Sequence, residues 1–215
     1  MSEKPAALNE CTAIEKGAVR GFLHAAQGSR TAGLVLTHGA GGNCNSPLLV
    51  ALAGAFSKAG VSVLRCDLPF RQKRASGPPS PATAATDRAG LRDAVELLRQ
   101  LEPGAVYLGG QSYGGRQASM LAAEQPGLTE RLLLLSYPLH PPGKPSQLRT
   151  AHFPALRTPA VYVQGTVDPF GSIPELQSSL ALIPARTKLL PIERAGHDLK
   201  RGAIDLGTIV AALMD

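Results

Sequence analysis

Short apolar runs alternate along this chain with longer segments of helical periodicity, and that alternation narrows the fold more than any other feature. Runs at 33–37 (GLVLT), 61–66 (VSVLRC), 105–109 (AVYLG), 131–136 (RLLLLS), 160–164 (AVYVQ) and 187–192 (TKLLPI) have the length and continuous apolar character of strands buried on both faces. The intervening segments predict helices over 47–59, 86–101, 115–124, 174–182 and 202–214. Within 86–101, Leu91, Ala94, Val95, Leu98 and Leu101 form an apolar stripe, and Thr86 is placed to cap the helix start. Gly77, Pro78, Pro79 and Pro81 mark 70–82 as a loop, and 138–159 is a longer Pro-rich irregular stretch. Repeated strand–helix units predict an α/β fold: a doubly wound, mostly parallel sheet covered on both faces. A further pair of strands is expected, weakly marked, ahead of residue 33. A chain of 215 residues holds one such domain, with 1–16 read as an N-terminal extension.

Composition excludes several function classes. Hydrophobic residues make up 44% and charged residues 18%, which is a globular composition rather than a disordered one. The polar start, MSEKPAALNE, has no apolar core and predicts no signal peptide, and no run is long enough to span a membrane. Cys11, Cys44 and Cys66, odd in number and widely spaced, suit reduced thiols in a cytoplasmic protein. The net charge of +6 raises the question of nucleic acid, but the basic residues are dispersed and only 4% of residues are aromatic, so stacking platforms are scarce. No nucleic-acid or membrane partner is expected. The histidines are scattered without His-Glu-x-x-His spacing, so no metal and no cofactor are expected.

The chemistry concentrates at four points. A serine hydroxyl needs a base to take its proton, a carboxylate to orient that base, and donors for the oxyanion that develops. Gly110-Gln111-Ser112-Tyr113-Gly114 has the form of a nucleophile elbow, with Gly109 and Gly115 adding small residues around the turn. A Gly-x-Ser-x-Gly pentapeptide arises by chance in roughly one chain in ten of this length at average glycine usage. Its position after an apolar strand and before a helix is what gives it weight. His38-Gly39-Ala40-Gly41-Gly42 also follows a strand; its backbone is free to approach a reacting oxygen, and Ala40 and Tyr113 are the candidate oxyanion donors. A phosphate cradle is the alternative use of such a turn, yet no Gly-Lys-Ser/Thr follows.

Asp168 and His197 each come just after a predicted strand, at the edge where open α/β sheets place their sites. The chain order Ser112, Asp168, His197 is that of the nucleophile-elbow enzymes. Asp67 is an alternative orienting acid, although it precedes the serine. Asp198 adjoins His197 and points elsewhere, and His24, His140 and His152 read as structural or surface residues. Of the basic cluster Arg71, Lys73 and Arg74, the two arginines are candidates to attract an anionic acyl group.

These motifs resemble the α/β-hydrolase superfamily over about residues 17 to 215, and more narrowly its small members of the dienelactone-hydrolase-like branch, which lack a cap domain. Thr37-His38-Gly39-Ala40-Gly41, Gly110-Gln111-Ser112-Tyr113-Gly114-Gly115-Arg116 and Leu135-Ser136-Tyr137-Pro138-Leu139 are similar to the testis-expressed protein 30-like group. The resemblance implies Ser112 as nucleophile, His197 as base and Asp168 as orienting acid. Dienelactone hydrolase itself has a cysteine where Ser112 stands, so its substrate does not carry over. The expected activity is hydrolysis of an ester, thioester or related acyl bond in a small molecule. A peptidase, or a non-catalytic binding or scaffold protein on the same fold, are the alternatives. Substrate identity and oligomeric state are left open.

Overall fold

The computed structural model describes residues 11–29, 32–102 and 104–215. Among these residues, eight strands form one sheet in the order β1-β2-β4-β3-β5-β6-β7-β8. They are β1 (Cys11–Lys16), β2 (Val19–His24), β3 (Ala32–Thr37), β4 (Val61–Cys66), β5 (Ala105–Gln111), β6 (Leu132–Leu135), β7 (Ala160–Gly165) and β8 (Thr187–Ile192). From β4 to β8 all neighbours are parallel, while β1 and β2 pair antiparallel at one edge. The expected strand pair ahead of residue 33 is therefore β1 and β2. Its first member lies inside the segment assigned to an N-terminal extension, because Cys11–Lys16 finds a full ladder of partners on β2.

The apolar runs explain the parallel order. Successive side chains of one strand point to opposite faces. Leu34 and Leu36 of β3 join Leu49, Leu52 and Phe56 of α1 (Pro47–Lys58) and Ile209 and Leu213 of α6 (Leu206–Met214). Val35 faces the opposite core, formed with Leu91, Val95 and Leu98 of α3 (Ala84–Leu101), Leu121 of α4 (Tyr113–Glu124) and Leu176 of α5 (Ile173–Leu180). In β6, Leu132 and Leu134 take one core and Leu133 and Leu135 the other. A strand buried on both faces has no polar side to show, hence its unbroken leucines.

Three local readings change. The stretch 70–82 is not all loop: Pro69–Lys73 forms a short helix, α2, and Pro81–Thr83 a 3-10 turn that runs straight into α3. Thr86 consequently lies inside α3 and caps nothing; Ser80 caps the preceding turn by accepting from the Ala82 N–H. Helix α6 begins at Leu206 rather than 202, because Asp205 accepts from the Thr208 N–H and sets the start there. The irregular stretch 138–159 holds only a 3-10 turn at Phe153–Ala155 and builds no cap domain. Among the described residues, no helix is long and apolar enough to cross a membrane.

Candidate active site

The chain winds outward in both directions from β3 and β5, which lie side by side with Thr37 opposite Gly110. Loops leaving two such strands diverge, and the crevice between them is where open α/β sheets hold ligands. Ser112 sits in that crevice. Its backbone has φ 50° and ψ −114°, a strained conformation for a residue with a side chain. The turn is tight enough that a Cβ on Gly114 would lie 2.4 Å from the His38 carbonyl oxygen, and one on Gly110 2.8 Å from the Gly114 carbonyl carbon. Only glycine fits either place. The strand thus ends and the helix begins within one residue, leaving the serine hydroxyl exposed to the cleft.

Ser112 Oγ lies 2.7 Å from His197 Nε2, and His197 Nδ1 lies 2.8 and 3.0 Å from the two oxygens of Asp168. The carboxylate accepts the Nδ1 proton, which leaves Nε2 with a lone pair directed at the serine hydroxyl. The structure thus brings together three side chains that are 85 and 29 residues apart in sequence. Asp168 is buried, and two further donors hold it: the Phe170 N–H at 2.8 Å and the Gln164 side-chain amide at 3.0 Å. The loops that carry Asp168 and His197 are tied together by Val167 N–H to Ala195 C=O and by Arg194 N–H to the Thr166 hydroxyl. The Phe170 ring stacks on the imidazole with centroids 4.0 Å apart.

Ala40 and Tyr113 lie beside Ser112 on the cleft lining. Among the described residues, neither backbone N–H donates to another backbone group. The Tyr113 N–H is also at the amino end of α4, where unpaired amides and the helix dipole favour negative charge. The Tyr113 side chain is held from behind: its hydroxyl donates to buried Asp87 at 2.7 Å, and its ring meets Phe70 edge-on at 5.7 Å. Asp87 also accepts the Phe70 N–H. Burial and this carboxylate push the Tyr113 phenol well above its usual range.

The competing candidates are occupied elsewhere. Asp67 accepts the Cys44 N–H at 2.7 Å and does not contact His197. His38 is fully buried; it bonds the Gly39 carbonyl through Nδ1 and receives the Leu68 N–H at Nε2. That pattern makes it the neutral Nδ1–H tautomer, consistent with burial lowering its pKa. Nε2 is thereby an acceptor, so the 3.4 Å approach to Asp67 is not an ion pair. His24 accepts from Arg65, and His152 shares a hydrogen bond with Ser119; burial lowers both to about 4. His140 lies against Pro141 C=O. Burial pushes the Cys44 thiol up to about 12 and the Cys66 thiol higher still, so both stay protonated.

Arg71 corrects an expectation. Rather than meeting substrate, it is buried, and its guanidinium donates to the carbonyls of Gly42, Arg74, Ala40 and Gly77. It fastens the Gly-rich turn to the loop after α2. Arg74 bonds Pro78 C=O and is likewise spent on backbone. The cleft has a volume of about 950 Å³ and is walled by Gly39–Gly42, the Pro78–Pro81 turn, Met120, Phe170 and two other arginines, Arg116 and Arg149. Sequence reasoning missed Gln164, Phe170, Asp87 and Arg149. A clue existed for Arg116, which stands four residues after Ser112 and so on the same helix face. Among the described residues, no cluster of three or more His, Cys, Asp or Glu side chains is arranged to hold a metal.

A family model described as an alpha/beta hydrolase domain matches residues 30–208. The chain belongs to the α/β-hydrolase family. Among solved structures, this chain is similar to a dienelactone hydrolase from Anabaena variabilis, with 21% identity, TM-score 0.72 and coverage of 96% of this chain and 95% of that one. A serine hydrolase without a lid from Xanthomonas campestris matches at 16% identity and TM-score 0.74, covering 99% and 95% of the two chains. An α/β serine hydrolase homologue from Coxiella burnetii matches at 16% and TM-score 0.74, over 97% and 99%. At these identities the likeness is one of fold.

Proposed function

We propose that this α/β hydrolase is a serine acyl hydrolase that cleaves an ester, thioester or related acyl bond, and that it stands nearest the testis-expressed protein 30-like group. The observation that carries the reading is the continuous Ser112–His197–Asp168 hydrogen-bond chain at the mouth of a cleft sized for a small molecule. Ser112 Oγ attacks the substrate carbonyl carbon while its proton passes to His197 Nε2. The carbonyl oxygen becomes negative within reach of the Ala40 and Tyr113 N–H groups. As the tetrahedral intermediate collapses, the bond to the leaving group breaks and His197 returns the proton to that group. Water then repeats the sequence on the acyl-enzyme, releasing the acid and restoring Ser112. Asp168 keeps the imidazole in the Nδ1–H tautomer and stabilises it when protonated.

A fluorophosphonate probe tests the reading directly. Labelling of the wild-type protein that disappears in Ser112→Ala is the expected result. No labelling of wild type, or labelling that survives the substitution, defeats it and leaves a non-catalytic binding protein on the same fold.

A further inference from the structure

Among the described residues, two cations on the wall of the cleft have no counter-ion. Arg116 lies on α4, one turn beyond Ser112, and its backbone N–H bonds the Ser112 carbonyl at 2.9 Å. Arg149 comes from the irregular stretch after β6; its own N–H and C=O are fixed by the Leu139 carbonyl and the Tyr137 hydroxyl. Both line the cleft that contains Ser112 and His197. Among the described residues, neither arginine pairs with a carboxylate. Arg116 Nε is buried with no hydrogen-bond partner, and Arg149 makes one long contact, 3.4 Å to the Pro138 carbonyl. The other charges on the cleft lining, Asp198 and Lys200, pair with one another at 3.5 Å. Arg88, close by, is satisfied by Glu124 and Gln117.

This arrangement is costly as it stands. Both arginines are half-buried, Arg116 has the Tyr137 hydroxyl beside it, and a guanidinium partly withdrawn from water without a counter-ion loses hydration that is only partly replaced. Here two are close enough that burial and the Arg116 charge together lower the Arg149 pKa. The neighbouring His152 is held neutral by burial and by the charges of Arg116 and Arg88. An oxyanion placed between the arginines removes both penalties, and the planar guanidinium fork suits a carboxylate or phosphate.

Resting on the hydrolase reading above, we infer that Arg116 and Arg149 form a subsite for an anionic group, so that the substrates are acyl esters bearing a carboxylate or phosphate away from the scissile bond. The subsite orients such a substrate along the cleft, with its far end on the arginines and its carbonyl at Ser112.

The test compares kcat/KM for p-nitrophenyl butyrate, mono-p-nitrophenyl glutarate and the matching ester ending in a phosphonate. Wild type is expected to favour at least one anionic ester over the neutral one by roughly tenfold or more, and whichever anion is favoured identifies the group. Arg116→Gln and Arg149→Gln are each expected to lower that ratio by roughly tenfold, mainly through KM. Arg149→Lys is expected to restore part of it. A ratio near one in wild type, or a ratio unmoved by either substitution, overturns the subsite. If Arg116→Gln fails to fold, Arg149→Gln, in an irregular segment, decides. Should no ester be turned over, the fluorophosphonate result decides the hydrolase reading separately, and glutarate and phosphate are titrated by ligand-observed NMR. Binding lost in Arg149→Gln then upholds the subsite, and no binding to wild type removes it.

Discussion

The floor of the cleft and its Arg116–Arg149 wall treat charge in opposite ways. On the floor, Asp168 has His197, Gln164 and the Phe170 N–H, and His197 has Asp168 on one side and Ser112 on the other. Arg71, on the loop side, is equally complete, with four carbonyls around its guanidinium. On the α4 wall, Arg116 Nε is buried and unmatched. Groups whose partners are internal hold geometry, since satisfying them rigidifies the site before substrate arrives. Groups left unmatched at a cleft store a penalty that a ligand relieves. Two arginines on the same edge of one sheet therefore have different uses, and composition does not tell them apart.

The comparison breaks most sharply at the floor. Turnover of an activated ester is expected to fall by on the order of 10⁶ in Ser112→Ala and on the order of 10⁴ in Asp168→Asn, with folding intact by circular dichroism. Near-normal turnover in Asp168→Asn would mean that His197 does not need its orienting acid. A smaller effect separates the two kinds of arginine. Arg71→Met leaves four carbonyls without their donor and is expected to cost about 2–4 kcal/mol in urea unfolding, whereas Arg149→Gln leaves stability unchanged or raised. Equal losses would erase the distinction between the two walls. Tyr113→Phe removes one donor from buried Asp87 and is expected to cost about 1–2 kcal/mol, with a modest drop in kcat as the Tyr113 backbone loosens.

A further expectation concerns pH. His24 and His152 titrate near 4 when folded and near 6.5 when unfolded, so below 6.5 the unfolded chain takes up protons first. Stability is expected to be full above about pH 6.5 and to fall as pH drops toward 4. Replacing His152 with Gln should flatten that slope in denaturation curves recorded at several pH values; an unchanged slope would show that His152 does not contribute.

Much of the architecture was legible because burial writes itself into sequence. Strands buried on both faces have room for few polar side chains, and only for partnered ones such as Arg65 and Gln164, so β3, β4, β6 and β7 stand out as mainly apolar runs. The edge strand β1 did not, since its exposed residues, CTAIEK, have no such constraint. Helix starts were misplaced at Thr86 and at residue 202 because caps and turns depend on a few local hydrogen bonds, which composition does not reveal.

For the site, the chain order and strand-end positions of Ser112, Asp168 and His197 were visible in sequence, as were the glycines that only a crowded turn requires. Tertiary structure alone decided which polar groups meet. It paired Gln164 with Asp168, laid Phe170 on His197, and set Asp87 behind Tyr113. It also turned Arg71 inward and left Arg116 and Arg149 lining the cleft without counter-ions among the described residues. The physical reason is that periodicity records which side of an element a residue occupies, while pairing depends on distances between elements remote in the chain. For Ser112, the sequence by itself determined a place on a strand-to-helix turn; the fold decided what stands 2.7 Å from its hydroxyl.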